Sequence, residues 1–335
     1  MENRRDFLKK MAAVTAGITL PFSIQETMAG QKSRRKELLP VRKLGSTGET
    51  VTMLGVGGFH IHWTSERDAR EVINTAMENG IRFFDTAESY GPHVSEIKYG
   101  KFLTRKHRDE IFLMTKSTAK DAKTAREHLE GSLRRLKTDY LDLWQVHALR
   151  NPEDVDNRIE EGILDVFQEA KESGKVRYIG FTGHQNPQAH LRMLERTKDM
   201  NIWDTVQMPI NPVDAASNHS FIKDVLPVLI EREIAVLAMK TLADGRFFAK
   251  KNHFPNIKTD TPAIPDRFSI EEALNFAWSL PISTLITGAE NKEFLEEKIK
   301  IARSFTEMKE SEKEKIIEKV SNRSVYGELE YYKRV

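Results

Sequence analysis

The sequence contains no cysteine among its 335 residues, which excludes disulfide bonds, thiolate metal sites, iron–sulfur clusters and cysteine nucleophiles. It also lacks an excess of charge of either sign. Fifty-two lysines and arginines face 50 acidic residues, which argues against nucleic acid as a partner. The 18 glycines and 12 prolines are too few for a collagenous or linker-dominated chain. The composition that is present, 39% hydrophobic and 30% charged residues, is sufficient for a large folded core.

The chain also lacks an apolar run suited to a stable membrane span near its N-terminus. The mostly apolar run from Met11 to Ile24 has 14 residues, too few to cross a bilayer core of about 30 Å. A charged start, this short run and the small-residue site Thr27-Met28-Ala29 predict a signal peptide over residues 1–29, followed by a linker over 30–40. Arg4-Arg5, followed by Phe7-Leu8-Lys9, resembles the twin-arginine export signal of bacteria. We therefore expect a periplasmic or exported protein that uses the twin-arginine export machinery. The alternative is a basic amphipathic first helix of a cytosolic protein.

Residues 41–335 are predicted to form one domain of alternating strands and helices. Two short runs flank the turn Gly45-Ser46-Thr47-Gly48 and predict a hairpin, and Lys309–Val320 predicts an extra C-terminal helix. Between them, short apolar runs alternate with amphipathic stretches, which is typical of parallel βα units. The predicted strands are Met53–Gly58, Ile81–Asp85, Ile111–Thr115, Tyr140–Val146, Val176–Phe181, Thr205–Met208, Ile234–Met239 and Ser283–Ile286. The predicted helices start near Ser65, Val94, Ala122, Val155, Pro187, Asn218, Ser269 and Asn291.

Eight strand–helix pairs in about 250 residues predict an α/β fold, the (β/α)8 TIM barrel, with an N-terminal β-hairpin and a C-terminal extra helix. An open dinucleotide-binding sheet would need a G-x-G-x-x-G turn before its first helix. The segment Gly55-Val56-Gly57-Gly58 does not complete that pattern.

Polar residues occur at the ends of three consecutive predicted strands. Asp85, Lys116 and His147 end the second, third and fourth strands at equal steps of 31 residues, and Tyr90 follows Asp85 in the next loop. The carboxyl ends of the strands form the active-site face of such a barrel, so we expect these side chains to converge at an equivalent height. Taken singly, each has a simpler explanation as a turn cap, a loop aromatic, a solvated strand end or a core histidine. The four together favour a catalytic site.

These four residue types suit proton transfer to a carbonyl oxygen. A phenol with a pKa near 10 is a poor acid at neutral pH unless its phenolate is stabilised. A neighbouring lysine would lower that pKa, and a buried aspartate would keep the lysine charged. A neutral histidine can orient the carbonyl while hydride arrives from a nicotinamide. We predict Asp85, Tyr90, Lys116 and His147 as catalytic residues, with Tyr90 as the general acid.

The same segments resemble the aldo-keto reductase superfamily. The resemblance rests on Phe84-Asp85-Thr86-Ala87-Glu88-Ser89-Tyr90-Gly91, Met114-Thr115-Lys116, Leu143-Trp144-Gln145-Val146-His147, Val176-Arg177-Tyr178-Ile179-Gly180 and the hairpin turn, and it extends over about residues 41–302. It implies a (β/α)8 barrel that reduces aldehydes and ketones to alcohols with NADPH. The superfamily's catalytic aspartate, tyrosine, lysine and histidine correspond to Asp85, Tyr90, Lys116 and His147.

The resemblance also implies a set of cofactor-binding residues. They are Thr182, Gln207, Met239, Lys240, Leu242, Gly288, Asn291 and Glu297. Three positions depart from the superfamily pattern. Gly183 replaces an asparagine, with His184 as a candidate substitute; Met239 replaces an aromatic; and Phe294 replaces an arginine that pairs with the 2′-phosphate. Lys292 and Lys298 are candidates to compensate for that arginine. NADPH is the favoured cofactor, NAD is the alternative, and no metal site is expected.

Two other functions compete with this prediction. His60 and His62 match the His-x-His opening of metal-dependent barrel hydrolases, but Gln207 and Thr287-Gly288 stand where that family needs a histidine and an aspartate. The other alternative is a non-catalytic, nucleotide-sensing aldo-keto reductase-like subunit. Trp63, beside the two histidines, is a candidate wall of the carbonyl pocket.

The predicted export signal bears on the cofactor. We expect a small-molecule carbonyl or sugar-like substrate, and NADPH is expected to be scarce outside the cytoplasm. Twin-arginine export carries folded proteins, so the hypothesis is that the protein folds around nicotinamide before export and then retains it. The loop Gly245–Pro265 would close over the pyrophosphate.

Overall fold

A short antiparallel hairpin precedes the main sheet. The computed structural model describes residues 39–248, 264, 267–322 and 329–333. Strands β1 (Val41–Lys43) and β2 (Thr50–Thr52) pair with Val41 opposite Thr52, which confirms the predicted hairpin. The predicted signal peptide, and the linker up to residue 38, lie outside the described residues.

Eight parallel strands then close into a barrel, as predicted. They are β3 (Leu54–Gly57), β4 (Phe83–Asp85), β5 (Phe112–Ser117), β6 (Leu141–Val146), β7 (Val176–Thr182), β8 (Thr205–Pro209), β9 (Ala235–Met239) and β10 (Thr284–Thr287). Each pairs with the next in chain order, and β10 returns to β3 with Ile286 opposite Gly55. Every predicted strand is present, and its ends shift by at most two residues.

Helices connect the barrel strands. They are α1 (Gly58–Trp63), α2 (Glu66–Glu78), α3 (Val94–Phe102), α4 (Thr104–His107), α5 (Ala122–Leu136), α6 (Pro152–Glu160), α7 (Ile163–Glu172), α8 (Pro187–Arg196), α9 (Pro212–Ala216), α10 (Phe221–Asp224), α11 (Leu226–Glu231), α12 (Ile270–Trp278), α13 (Lys292–Arg303) and α14 (Glu310–Ser321). Among the described residues, no helix is both long and apolar enough to cross a membrane.

Local capping explains where the helices depart from prediction. The helix expected near Val155 begins at Pro152, because the Asn151 side chain accepts a hydrogen bond from the backbone N–H of Asp154 at 2.8 Å. Gly162, with a φ of 77°, then separates α6 from α7, so the single predicted helix is two. The helix predicted near Ser269 is α12, and it starts with a capping box in which Ser269 and Glu272 bond each other's backbone N–H groups.

Two apolar clusters lie at opposite ends of this domain. The first packs Leu44 and Val51 of the hairpin region against barrel residues that include Phe83, Met114 and Leu237, so the hairpin closes the N-terminal end of the barrel. The second, called here the C-terminal cluster, packs α14 against α9 and the segment after β9. Its buried members include Val213, Ala243, Phe247, Ile316, Val320 and Tyr332.

Candidate active site

Three of the four predicted catalytic residues lie at the carboxyl ends of neighbouring strands, and Tyr90 lies in the loop after β4. Asp85 is the last residue of β4, Lys116 lies near the end of β5, and His147 directly follows β6. The strand register places Asp85 opposite Met114 and Lys116 opposite Gln145. Each residue therefore lies two positions beyond the register partner of the one before. This stagger reflects the shear that closes the barrel.

Asp85, Tyr90 and Lys116 form one connected group. The Lys116 Nζ atom lies 2.6 Å from Asp85 Oδ2 and donates a hydrogen bond to the Tyr90 hydroxyl at 3.2 Å. It donates a third bond to the Thr86 carbonyl at 2.8 Å. The three donors of the ammonium are thus directed to three fixed acceptors. Lys116 and Asp85 are both buried, so this geometry is shielded from water.

Burial governs the ionisation of this group. Burial raises the pKa of Asp85 and lowers the pKa of Lys116, while their mutual attraction opposes both shifts. Burial, together with the negative charge of Asp85, raises the pKa of Tyr90 well above its usual value of 10.0. The direction is opposite to the expected lowering, because burial is the largest cause and the negative charge of Asp85 adds to it. Tyr90 therefore holds its proton at neutral pH.

His147 faces Tyr90 across the mouth. The two ring centroids are 5.7 Å apart, and the Ser89 hydroxyl lies 3.3 Å from His147 Nδ1. Burial lowers the pKa of His147 well below 6.5, so the imidazole is neutral. The buried guanidinium of Arg158 donates to the His147 carbonyl at 2.9 Å and so fixes the backbone at this position.

Glu88 is a buried carboxylate that sequence analysis did not single out. Its oxygens accept hydrogen bonds from the backbone N–H groups of Ser89 at 2.8 Å and Thr118 at 2.9 Å. These bonds tie the loop that carries Tyr90 to the residue following β5. An acidic residue two positions before Tyr90 was the available signal, but only the fold shows that it points inward.

Helix α1 forms an aromatic wall beside Tyr90. The ring centroids of Phe59 and Tyr90 are 5.3 Å apart, and those of Phe59 and Trp63 are 4.8 Å apart. This arrangement places Trp63 close to the mouth, behind Phe59. The wall offers apolar ring surface next to the hydroxyl of Tyr90.

The ends of β7, β8 and β9 hold the candidates for binding a nicotinamide. Thr182 is opposite Gln207 in the register, and the Gln207 amide nitrogen donates to Asp85 Oδ2 at 3.1 Å. The buried Gln207 Oε1 has no hydrogen-bond partner within the described parts of the chain. A carboxamide N–H would satisfy this oxygen, so the residue fits a nicotinamide. Met239 ends β9 and is half-buried.

Steric crowding explains why residue 183 is a glycine and not the asparagine of the superfamily pattern. A Cβ atom at this position would lie 2.6 Å from the Leu149 carbonyl oxygen and 3.0 Å from His190 Nε2. An asparagine would therefore require the backbone to shift. His184 follows, with its ring centroid 5.8 Å from that of Tyr332.

A cavity of about 360 Å³ opens between the ends of β9 and β10, within the usual size of ligand sites. Four predicted cofactor residues line it: Lys240, Leu242, Gly288 and Glu297. Gly288 packs so closely against the His60 ring that a Cβ atom would overlap it. Asn291 does not line the cavity. Its side chain caps α13 by accepting a bond from the Phe294 backbone N–H at 2.9 Å.

The two lysines that line the cavity both have partners. Lys240 Nζ lies 2.7 Å from Asp244 Oδ2, and Lys298 Nζ donates to the Gly288 carbonyl at 2.5 Å. Burial lowers the pKa of Lys298 to about 8. The carboxylates of Glu290 and Glu297 also line the cavity, together with the ring of Phe294. A 2′-phosphate would therefore meet two lysines with other partners and three carboxylates.

His60 and His62 have separate partners. His60 Nε2 lies 3.4 Å from Glu290 Oε1, and His62 Nδ1 lies 2.5 Å from the Phe59 carbonyl oxygen. Within the described ranges, no three histidine, aspartate or glutamate side chains converge in a way that could hold a metal ion.

The fold and this site define a (β/α)8 barrel with a buried acid–base group at the carboxyl ends of its strands. The sequence matches the Aldo/keto reductase family over residues 53–320, and the chain belongs to that family.

Comparisons with individual proteins agree with this assignment. "Uncharacterized oxidoreductase YqkF" of Bacillus subtilis is 28% identical over 293 residues, which cover 78% of this chain and 90% of that protein. "L-galactose dehydrogenase" of Arabidopsis thaliana is 30% identical over 219 residues, covering 62% of this chain and 66% of that protein. An aldo-keto reductase from Bacillus halodurans in its holo form shares the fold, with a TM-score of 0.68 at 22% identity over 84% of this chain and 96% of its own. The family and these relatives identify the chain as an oxidoreductase.

Proposed function

We propose that this protein reduces an aldehyde or ketone to an alcohol with NADPH, and that Tyr90 is its general acid. The observation that carries the proposal is the contact of 3.2 Å between the Lys116 ammonium and the Tyr90 hydroxyl, with Lys116 paired to Asp85 at 2.6 Å. A bound nicotinamide would supply the hydride. The residues of the chain supply the proton and the geometry.

The proton moves from the Tyr90 hydroxyl to the substrate oxygen. Because its pKa is raised, Tyr90 keeps this proton until the oxygen becomes strongly basic. The Lys116 ammonium then stabilises the phenolate that remains. Neutral His147, with Nδ1 next to Ser89, presents its Nε2 side to the carbonyl oxygen and orients it.

The cofactor would span two parts of the mouth. Thr182 and Gln207 Oε1, which has no partner among the described residues, would hold the carboxamide, and Met239 would lie against the ring. Lys240, Leu242, Gly288 and Glu297 would line the site of the nucleotide half, with Asn291 holding the start of α13. The resemblance to the family supports NADPH. The carboxylates of the cavity and Phe294 support the alternative, NAD.

We propose a small carbonyl compound or a sugar as the substrate class. A relative named L-galactose dehydrogenase and the aromatic wall of Phe59 and Trp63 beside Tyr90 support a sugar-like molecule. We further propose that the protein is exported through the twin-arginine pathway, on the basis of Arg4-Arg5 and the apolar run that follows.

Binding and turnover measured on the same purified protein test the proposal. The dissociation constants of NADPH and NADH are determined by fluorescence titration, and oxidation of each is then followed with a panel of aldehydes, ketones and sugars. Turnover with at least one carbonyl compound is expected. Tight binding with no turnover across the panel would favour a nucleotide-sensing subunit, and the absence of binding would contradict both functions. A tighter Kd for NADH than for NADPH would reverse the proposed cofactor preference.

A further inference from the structure

The segment after β9, residues 240–248, forms one wall of the cavity. Lys240, Thr241, Leu242, Asp244, Gly245 and Phe248 all line it. Three of its non-glycine residues have left-handed backbone conformations: Lys240 with a φ of 56°, Ala243 with 49° and Asp244 with 55°. L-residues adopt this conformation at an energetic cost, so contacts from elsewhere must hold the wall in place.

The C-terminal segment Leu329–Lys333 supplies such contacts. The Tyr331 hydroxyl donates a hydrogen bond to Asp244 Oδ2 and accepts one from Lys240 Nζ at 3.3 Å. The Arg246 guanidinium lies 3.8 Å from the centre of the Tyr331 ring. One tyrosine therefore contacts three charged residues of the wall. Tyr332 packs beside it in the C-terminal cluster with Ala243 and Phe247.

A buried ionic group anchors this segment to the barrel. Lys333 is fully buried, with Nζ 2.5 Å from Asp214 Oδ1 and 2.5 Å from Glu330 Oε2. Asn211 donates to Glu330 Oε1 at 3.2 Å and to the Tyr332 hydroxyl at 3.0 Å. Asp214 also accepts the backbone N–H groups at the start of α10. Buried charges require partners, so these contacts favour one position of the segment.

We propose that Leu329–Lys333 is a clamp that holds the 240–248 wall against the bound dinucleotide and sets the rate at which the dinucleotide leaves. The proposal rests on the proposed function. A cofactor in this cavity would lie against the 240–248 wall, and the wall is bonded to the anchored segment through Tyr331. Tyr331 is a positioning residue, because it acts through Lys240 and Asp244. A slow release of this kind would serve a protein that retains its cofactor after export.

The decisive variant is Tyr331→Phe, which removes the hydroxyl and leaves the ring against Arg246. The fluorescence of the bound reduced dinucleotide is followed by stopped flow. Displacement by excess NAD(P)⁺ gives the dissociation rate, and mixing the free protein with the reduced dinucleotide gives the association rate. We expect the dissociation rate to rise about tenfold, as for the loss of a hydrogen bond to a charged group, with the association rate nearly unchanged. Tyr331→Ala, which also removes the ring, should accelerate release further. If Tyr331 served only to keep the protein folded, Tyr331→Phe would not raise the dissociation rate while leaving the association rate unchanged.

Tyr178→Phe is the matched control. It makes the same chemical change and also removes a hydroxyl-to-carboxylate contact, with Glu49 at 3.3 Å, near the hairpin at the other end of the barrel. Its release rate should equal that of the unchanged protein. Equal release rates for the unchanged protein, Tyr331→Phe and Tyr178→Phe would overturn the clamp while leaving the proposed function intact. If the unchanged protein binds neither NADPH nor NADH, both the clamp and the proposed function fall.

Discussion

A phenol buried beside a carboxylate is harder to ionise than the same phenol in water, and Tyr90 is in that position. The nearest ammonium, on Lys116, is paired with Asp85, so its charge does little to draw the proton away. The proposed role of Lys116 is therefore to stabilise the phenolate once the proton has moved. At the scale of single residues, this distinction between ground state and transition state decides which substitutions should matter.

The first prediction concerns Tyr90→Phe. This change removes the proton donor and keeps the ring that contacts Phe59. Carbonyl reduction should fall by about 10²–10⁴, as for the loss of a general acid, with little change in dinucleotide affinity. Steady-state kinetics and fluorescence titration provide the two measurements. Lys116→Met should cause a comparable loss, and near-normal turnover of Tyr90→Phe would refute the assigned mechanism.

The second prediction concerns Phe294→Arg. The ring of Phe294 lines the cavity next to carboxylates, where the family often has an arginine. A guanidinium there can bind a 2′-phosphate with two hydrogen bonds. The ratio of the Kd values for NADH and NADPH should therefore shift towards NADPH, by about tenfold for one charge-assisted pair. Phe294→Leu is the control, and an equal shift in that variant would contradict the electrostatic explanation.

At the scale of secondary-structure elements, one side chain of the hairpin bonds it to the C-terminal end of α12 and to the residues that follow. The Arg42 guanidinium of β1 donates to the carbonyls of Trp278 at 2.6 Å and Ile282 at 3.1 Å. Trp278 is the last residue of α12, so the cation lies at the negative end of a helix. This contact lies at the N-terminal end of the barrel, which in this fold serves stability rather than chemistry.

The third prediction follows from this attachment. Arg42→Ala should lower the free energy of unfolding by about 2–3 kcal/mol, because partly buried carbonyls lose a charged donor. Turnover of the folded enzyme should not change. Urea denaturation and kcat/KM are measured on the same preparation. Arg105, an exposed arginine of α4, serves as the control, and its replacement by alanine should change stability by less than about 0.5 kcal/mol.

At the scale of the whole molecule, buried histidines link stability to pH. Burial lowers the pKa of His60 to about 4 and that of His190 to about 3. The unfolded chain takes up these protons near pH 6.5, whereas the folded chain takes them up only at much lower pH. The stability contributed by the neutral histidines is therefore present above pH 6.5 and is lost as the pH falls towards 4 and 3.

The fourth prediction quantifies this effect through His190→Phe. Each histidine should account for about 2 kcal/mol of the loss in unfolding free energy between pH 7 and pH 5. His190 lies between the rings of Phe181 and Phe221, at centroid distances of 5.2 and 5.0 Å, so a phenylalanine suits the site. The unfolding free energy is measured by urea denaturation at pH 7 and pH 5. Between these two values it should fall by about 2 kcal/mol less in the variant than in the unchanged protein. An undiminished dependence would show that His190 does not titrate in this way.

The fifth prediction concerns the proposed export of the whole molecule. Replacing Arg4-Arg5 by Lys-Lys should retain the protein in the cytoplasm, because the paired arginines are what the twin-arginine machinery reads. Fractionation of a bacterial host, followed by immunoblotting, measures the distribution. Unchanged export of the variant would contradict the targeting proposal. The dinucleotide content of the periplasmic fraction tests retention at the same time.

The strands, and the position of the candidate catalytic residues at or just after their ends, were predictable from the sequence because both depend on neighbouring residues. Apolar runs of strand length and the helical stretches between them identify a barrel, and in a barrel the end of a strand marks the mouth. Asp85, Lys116 and His147 were therefore assigned to the site from their positions alone. The division of α6 from α7 at Gly162 was missed, because the same amphipathic pattern continues on both sides of the break.

The tertiary structure alone decided the strand register of these residues, the ionisation of Tyr90 and the contacts that hold the cavity wall. Strand register depends on how the barrel closes, and the pKa of a buried group depends on every charge packed around it. Asp214 and Lys333, 119 residues apart, form an ion pair that no local pattern indicates. Periodicity and spacing report interactions between residues that are close in the sequence. These features arise instead where distant segments pack together and exclude water.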